Sequence, residues 1–170
     1  MYLFIHAVER ERAFLMIVGK KGFGSVFAPE KSVPDPFLHL VYRGKRHPDV
    51  LRGIDNLLNR FGLAPKNLKG ICVLSGPGQF SFLRSAIVTA NTFGWALNIP
   101  VVGVYGDDLG SGSISLANLC LTPFPKSVPD PIVSQFIEQG LKKFSHVKRF
   151  RPVVPEYGSE PNITTPKKRI

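Results

Sequence analysis

The residues best placed to do chemistry cluster around one turn. Ser75 stands directly before Gly76-Pro77-Gly78, and a helical pattern begins at Phe80. A helix start after such a turn presents free N–H groups that can hold an anion. The same residues also make a tight turn that packs helix on sheet, because glycine reaches conformations other residues resist. Asp107-Asp108 is the sole adjacent carboxylate pair. Paired acids can bind a metal or share a proton, whereas a pair beside the glycine- and serine-rich stretch Gly110 to Ser113 also reads as an exposed turn. The histidines, His6, His39, His47 and His146, lack HExxH spacing. Ser75 does not lie in G-x-S-x-G, and neither GxxxxGK[ST] nor GxGxxG occurs. Cys72 and Cys120 are too far apart for a CxxC site. No catalytic, cofactor-binding or metal-binding residue is assigned on these patterns.

The elements that would position the turn are clear. Ile71 to Leu74 is a short apolar run that predicts a buried strand. From Phe80 to Leu97 apolar residues recur at helical spacing, with Phe80, Leu83, Ile87, Ala90, Gly94 and Leu97 on the expected core arc. Asn98 can close that helix and Pro100 stops it, while Val101, Val102 and Val104 supply a second buried strand. Strand, turn, helix and strand make a βαβ unit with parallel neighbouring strands. The opposite arc of the helix carries Arg84, Ser85, Val88, Thr89, Asn91, Thr92 and Trp95. A solvent face normally holds lysines and glutamates. This one has small residues with Arg84 and Trp95, types common as interface anchors. Two readings stay open: Arg84, Val88, Asn91 and Trp95 contact a partner, or the face lies beneath the Pro29 to Arg46 segment or the C-terminal arm.

The segment Gly76-Pro77-Gly78-Gln79-Phe80-Ser81-Phe82-Leu83-Arg84 resembles the GPGSFTGLR signature of the TsaB family, non-catalytic members of the glycoprotease-like, actin-type ATPase superfamily. Gln79, Ser81 and Phe82 depart from it, while Gly76, Pro77, Gly78, Phe80 and Leu83 keep it. Asn98 to Val104 is similar to the family's following strand, and His47 matches a histidine that precedes an H-S-x-x-L-L helix. The resemblance implies an α/β fold with a mixed sheet: an actin-like, ribonuclease-H-like lobe over 1–105, and a reduced second lobe over 106–170. Where the family usually reads D-T-S in its first hairpin, this chain has His6 to Glu11. The missing aspartate argues against nucleotide hydrolysis there, since a phosphate or metal site needs that carboxylate.

Around this unit, Tyr2 to Ala7, Ala13 to Val18 and Phe23 to Phe27 predict an antiparallel meander. Pro29 to Arg46 is left open between a short helix, a loop and an edge strand. His47 to Gly62 predicts a helix with Val50, Ile54, Leu57, Leu58 and Phe61 inward, and Gly62 at its end. Asp130-Pro131 starts another, with Val133, Phe136, Ile137, Leu141 and Phe144 on its apolar face. The hexapeptide KSVPDP occurs twice, at Lys31 to Pro36 and Lys126 to Pro131. After Val147 the chain is basic and proline-rich, suiting an extended arm; Pro155 to Thr164 is similar to the tail of some bacterial TsaB proteins.

The 170 residues suffice for one good core. No apolar run reaches a membrane span, and Met1 to Ala7 lacks a signal-peptide pattern, so a cytoplasmic protein without membrane contact is expected. A net charge of +10 favours nucleic acid or an acidic protein surface, or serves solubility. The resemblance implies a non-catalytic scaffold that stabilises a TsaD-like catalytic subunit, with a TsaE-like ATPase, in making threonylcarbamoyladenosine in tRNA. The complex would use ATP, this chain alone would hold no cofactor, tRNA would be met through the complex, and a homodimer is possible. The alternatives are a basic RNA-binding module and a superfamily enzyme with an unrecognised site.

Overall fold

The computed structural model describes residues 1–6, 12–19, 37–41, 49–78, 80–109 and 131–157. Five strands form one sheet: β1 (Tyr2–His6), β2 (Arg12–Val18), β3 (Phe37–Val41), β4 (Gly70–Gly76) and β5 (Val101–Tyr105), in the order β3-β2-β1-β4-β5. β1 pairs antiparallel with β2, and β2 with β3, whereas β1–β4 and β4–β5 are parallel. A meander continued by a parallel βαβ unit is the order of a ribonuclease-H-like lobe, so the mixed α/β fold expected from the sequence is the fold observed. On its far side β2 pairs with Phe37–Val41. β3 is the Phe37–Val41 segment, which resolves the open reading of that stretch as an edge strand. The strand expected at Phe23 to Phe27 lies outside the described residues.

β4 is buried at every position, as a central parallel strand must be. Alternation along β1 sends Tyr2, Phe4 and His6 to one face and Leu3 and Ile5 to the other. α1 (Val50–Arg60) packs on β2 and β3, and α2 (Phe80–Leu97) on β4, β5 and β1. α3 (Pro131–His146) covers the Phe4 face, where Phe136 meets Phe4 edge-on at 5.4 Å and Phe144 stacks on Tyr2 at 4.6 Å. The sheet thus lies between helix layers. Leu109, Phe136, Ile137 and Phe144 share one core cluster with β1 and β4. Across the boundary expected at residue 106 the packing is continuous among the described residues; the glycine- and serine-rich stretch Gly110 to Ser113 lies outside them, as do both whole KSVPDP copies.

Local chemistry explains the helix ends. Asp49 caps α1, its carboxylate accepting from the Arg52 N–H at 2.9 Å. Gly62 closes α1 with φ +60° and donates to Asn59 O, while Leu63 N donates to Leu58 O. Asn98, at φ 52°, closes α2 the same way: its N–H reaches Trp95 O, and Ile99 N reaches Gly94 O. Both are Schellman ends, which satisfy carbonyls the helix leaves free. The inward face of α1 is Val50, Ile54, Leu57 and Leu58, with Phe61 half-buried, as predicted.

α2 corrects its predicted phase. Its buried residues are Phe82, Leu83, Ala86, Ile87, Ala90 and Gly94; Phe80 is 46% exposed and Leu97 only half-buried. Phe80 leaves the core because its ring stacks on Tyr157 of the C-terminal arm, centroids 4.4 Å apart.

α3 approaches the sheet closely through Gly140, where an added Cβ would lie 2.7 Å from Cys72 Sγ and 3.0 Å from Phe4 Cζ. Alanine at a helix interior is favoured over glycine by about 1 kcal/mol, but overpacking a filled core costs about 1–3 kcal/mol. Gly140→Ala should therefore lower stability by about 1 kcal/mol or more in urea denaturation, despite the better propensity; a stabilised variant would show that α3 sits looser than this.

Candidate functional site

The turn after β4 is enclosed by its own chain. Gly76 has φ +150° and a cis bond to Pro77. A Cβ on Gly76 would clash with the Glu156 carbonyl oxygen, and one on Gly106 would lie 2.8 Å from Pro77 Cδ. The arm donates Glu156 N to Ser75 O at 2.8 Å, and the Glu156 carboxylate lies 3.4 Å from Ser75 Oγ. Ser75 is buried, at 2% exposure. The arm's backbone and a carboxylate of like charge thus stand where an anion would approach the turn. Of the motif residues, Gly76 is buried, Pro77 and Gly78 are exposed, Leu83 is in the core and Phe80 holds the arm. The turn is a packing device that anchors the arm.

Other candidate groups are similarly engaged. Asp108 forms an exposed ion pair with Lys143 at 3.3 Å, while Lys143 Nζ also donates to Gly103 O at 2.8 Å. The side chain of Asp107 lies outside what is described, as do His47, Cys120 and the hairpin residues Glu9 and Glu11. Among the described residues no three His, Cys, Asp or Glu side chains gather as a metal site. Burial raises the Cys72 thiol well above its ordinary value, so it stays protonated in the core. Burial also holds the His6 imidazole down at about 4, and the ring sits edge-on to Phe136 at 6.0 Å. A neutral histidine enclosed by β1 and α3 is a core residue.

The outward face of α2 is the remaining candidate. Val88 and Trp95 are 55% and 71% exposed, two turns apart, with Arg84 exposed one turn before Val88. Thr89 and Thr92 donate their hydroxyls to Ser85 O and Val88 O, both at 2.8 Å. Those hydroxyls are thereby satisfied within the helix. Asn91 instead serves the arm, its amide donating to Val153 O and accepting from Val153 N, each at 2.9 Å. One flank of α2 is therefore taken by the arm. On the other flank, Phe93, Pro65 and the α1 residues Leu51, Ile54 and Leu58 line a groove of about 400 Å³ whose rim carries Asp49, Arg52 and Asp55, with Leu51 56% exposed. Arg84, Val88 and Trp95 stand on the strip between arm and groove. Sequence pattern missed Leu51 and the groove, and it placed Asn91 with the outer face; the lone polar amide on that arc was the available signal for an internal partner.

The family model described as TsaD, tRNA N6-adenosine threonylcarbamoyltransferase, matches residues 44–106. The tRNA threonylcarbamoyladenosine biosynthesis protein TsaB of Bacillus subtilis (strain 168) is 33% identical over 67 residues, 39% of this chain and 29% of that protein. Among solved structures, YeaZ from Pseudomonas aeruginosa is similar at 20% identity and a TM-score of 0.47, covering 64% of this chain and 46% of that one. A protein with similarity to peptidase YEAZ, also from Pseudomonas aeruginosa, matches at 20% and 0.46, over 64% and 45%. The chain thus spans under a third of the curated relative and under half of each solved one. The stretch that matches holds α1, β4, α2 and β5.

Two outcomes follow from the arm and from His6. Asn91→Ala strips both hydrogen bonds from Val153, so tryptic cleavage after Lys148 and Arg149 should quicken by about an order of magnitude; an unchanged rate would mean the arm is held elsewhere. The folded state keeps His6 neutral down to about pH 4, while an unfolded His6 takes a proton below its ordinary 6.5. Stability is therefore full above pH 6.5 and falls as pH drops toward 4, by about 3 kcal/mol at most from this group. His6→Gln should flatten that part of the stability–pH curve, and an unaltered slope would contradict the assignment.

Proposed function

We propose that this chain, a divergent TsaB-like protein, is a non-catalytic subunit of a tRNA threonylcarbamoyladenosine synthesis complex that steadies a TsaD-like catalytic subunit. The observation that carries the proposal is the outward face of α2. Val88 and Trp95 are apolar and exposed, the neighbouring hydroxyls are satisfied within the helix, and Arg84 offers a charge at one end. An apolar strip with tryptophan and arginine anchors suits a protein contact. The groove against α1 widens it beyond a single helix. The names of the matched relatives, which concern tRNA threonylcarbamoylation, support the pathway. A TsaE-like ATPase would consume ATP in the same assembly, and a homodimer would use the same face when the partner is absent. A cytoplasmic place fits such an assembly; among the described residues no helix is long and apolar enough to cross a membrane. The buried Ser75 and the engaged Asp108 support a role without chemistry of its own.

Co-purification of the full chain with the TsaD-like subunit of the same organism tests the proposal. Trp95→Ala should weaken the complex by about thirtyfold or more, as loss of a central anchor does, and Arg84→Glu should weaken it too. Thermal melting should not move, since both side chains are exposed. A folded wild-type chain that forms no complex would sink the reading.

A further inference from the structure

We infer that the end of the sheet from which β4 and β5 start is a contact surface for the phosphate backbone of RNA. Lys66 and Lys69 lie in the segment leading into β4, and Lys148, Arg149 and Arg151 in the arm just after α3; all five are exposed. Packing brings the two segments to one end. Phe144, in the last turn of α3, sits on Gly70, the first residue of β4, with its ring 2.6 Å from where a Cβ would be. Phe150 sits on Gly94 beside Val101, the first residue of β5, and Ile71 N bonds to Pro100 O between the two strand starts. Lys148, Arg149 and Arg151 are therefore strung between the ends of α3 and α2, beside Lys69.

Among the described residues, the segments that form this end carry no opposing charge. The sequence has no aspartate or glutamate between Asp55 and Asp107, nor between Glu138 and Glu156. The ion pair found among the described residues, Lys143 with Asp108, involves none of the five. Helix ends do not account for them either. Cations favour a helix C-terminus only within its last turn, and α3 already has Lys143 and His146 there. Lys148, Arg149 and Arg151 lie beyond it. Clustered lysines and arginines without carboxylates are the electrostatic footprint of a nucleic-acid backbone. An anionic membrane fits less well, because membrane-surface sites add exposed apolar anchors. Phe144 and Phe150 point into the fold here, and the exposed apolar side chain at this end, Trp95 in the last turn of α2, is assigned to the protein contact. The choice of RNA as the polyanion rests on the proposed place in tRNA modification; the surface itself rests on the packing.

Binding of the full chain to an unmodified tRNA transcript, followed by fluorescence anisotropy between about 50 and 200 mM salt, tests the inference. The wild type should bind with affinity falling steeply with salt. The combined reversal Lys148→Glu, Arg149→Glu, Arg151→Glu should lower affinity at least tenfold and reduce the log–log salt slope by about 2 to 3. It should still co-purify with the TsaD-like subunit, since that contact is assigned to the α2 face. Reversal of Arg52 and Arg84, near the starts of α1 and α2 and outside the five named cations, should leave RNA affinity within about twofold. Equal losses from both reversals would overturn the surface in favour of net charge. Wild type that forms the protein complex yet does not bind RNA, or that binds phosphatidylserine vesicles instead, would overturn the inference and leave the subunit proposal standing.

Discussion

Burial of β4 on all sides is the constraint from which the remaining contacts follow. All seven residues from Gly70 to Gly76 are buried, with β1 and β5 on the two edges, α2 on one face and α3 on the other. Each apolar side chain so enclosed stabilises the fold by about 1.5–3 kcal/mol. Parallel pairing to both neighbours also requires a crossover, and α2 is that crossover. The two glycines that bound the strand set its surroundings. Gly70 lets Phe144 come down on the strand's start, and Gly76 lets the Glu156 backbone come down on its finish. A single strand thus fixes where α3 comes down on the sheet and where the arm crosses the turn.

The arm solves a second problem that the sheet creates. Among the described residues β5 is an edge strand, and an uncovered edge invites pairing with another chain. Here Val153 packs on Gly103, Lys143 satisfies the Gly103 carbonyl, and Asn91 takes both backbone groups of Val153. Among the described residues the cover is made by a side-chain amide and an ammonium group. Removing any one partner leaves a partly buried backbone group unsatisfied, which costs about 1–3 kcal/mol. This ties the arm to α2 and α3 together and explains why Phe80 turns outward to Tyr157 instead of inward.

What sequence pattern revealed, and what it did not, divides by distance along the chain. The βαβ unit from Gly70 to Tyr105 and the α1 helix were legible because strand runs, helical periods and end signals such as Asp49, Gly62 and Asn98 act within a few residues. The phase of α2 was misread at Phe80 because Tyr157, its partner, is far away in sequence. Placing Asn91 on the outer arc had the same origin, since Val153 completes it from the arm. β3 stayed undecided because an edge strand's identity depends on the strand it pairs with. The approach of α3 to Cys72 and Phe4 gave no local sign beyond Gly140 itself. For the site, Arg84, Val88 and Trp95 were visible as an odd solvent face, whereas the α1 groove required knowing which face of α1 lies against Phe93.

The path of the chain lays the apolar strip along α2 and sets the cations at one end of it. α2 begins at the Gly76 turn and ends at the start of β5, so its outward strip runs between the two ends of the sheet, and Lys66, Lys69, Lys148, Arg149 and Arg151 lie at the second. The helix itself carries a single charged residue, Arg84, and it lies near the start. An apolar strip of that kind loses little by desolvation when a protein covers it, whereas lysines and arginines keep their hydration until a phosphate replaces it. The absence of carboxylates from Asn56 to Gly106 serves both surfaces at once. It leaves Arg84 as the one charge on the strip, and it leaves the cations at the strand starts without a carboxylate in their own segment. The two surfaces adjoin at Trp95, which stands in the last turn of α2 beside the Gly94 that seats Phe150, so a protein laid along the strip and a polyanion at the strand starts would meet there.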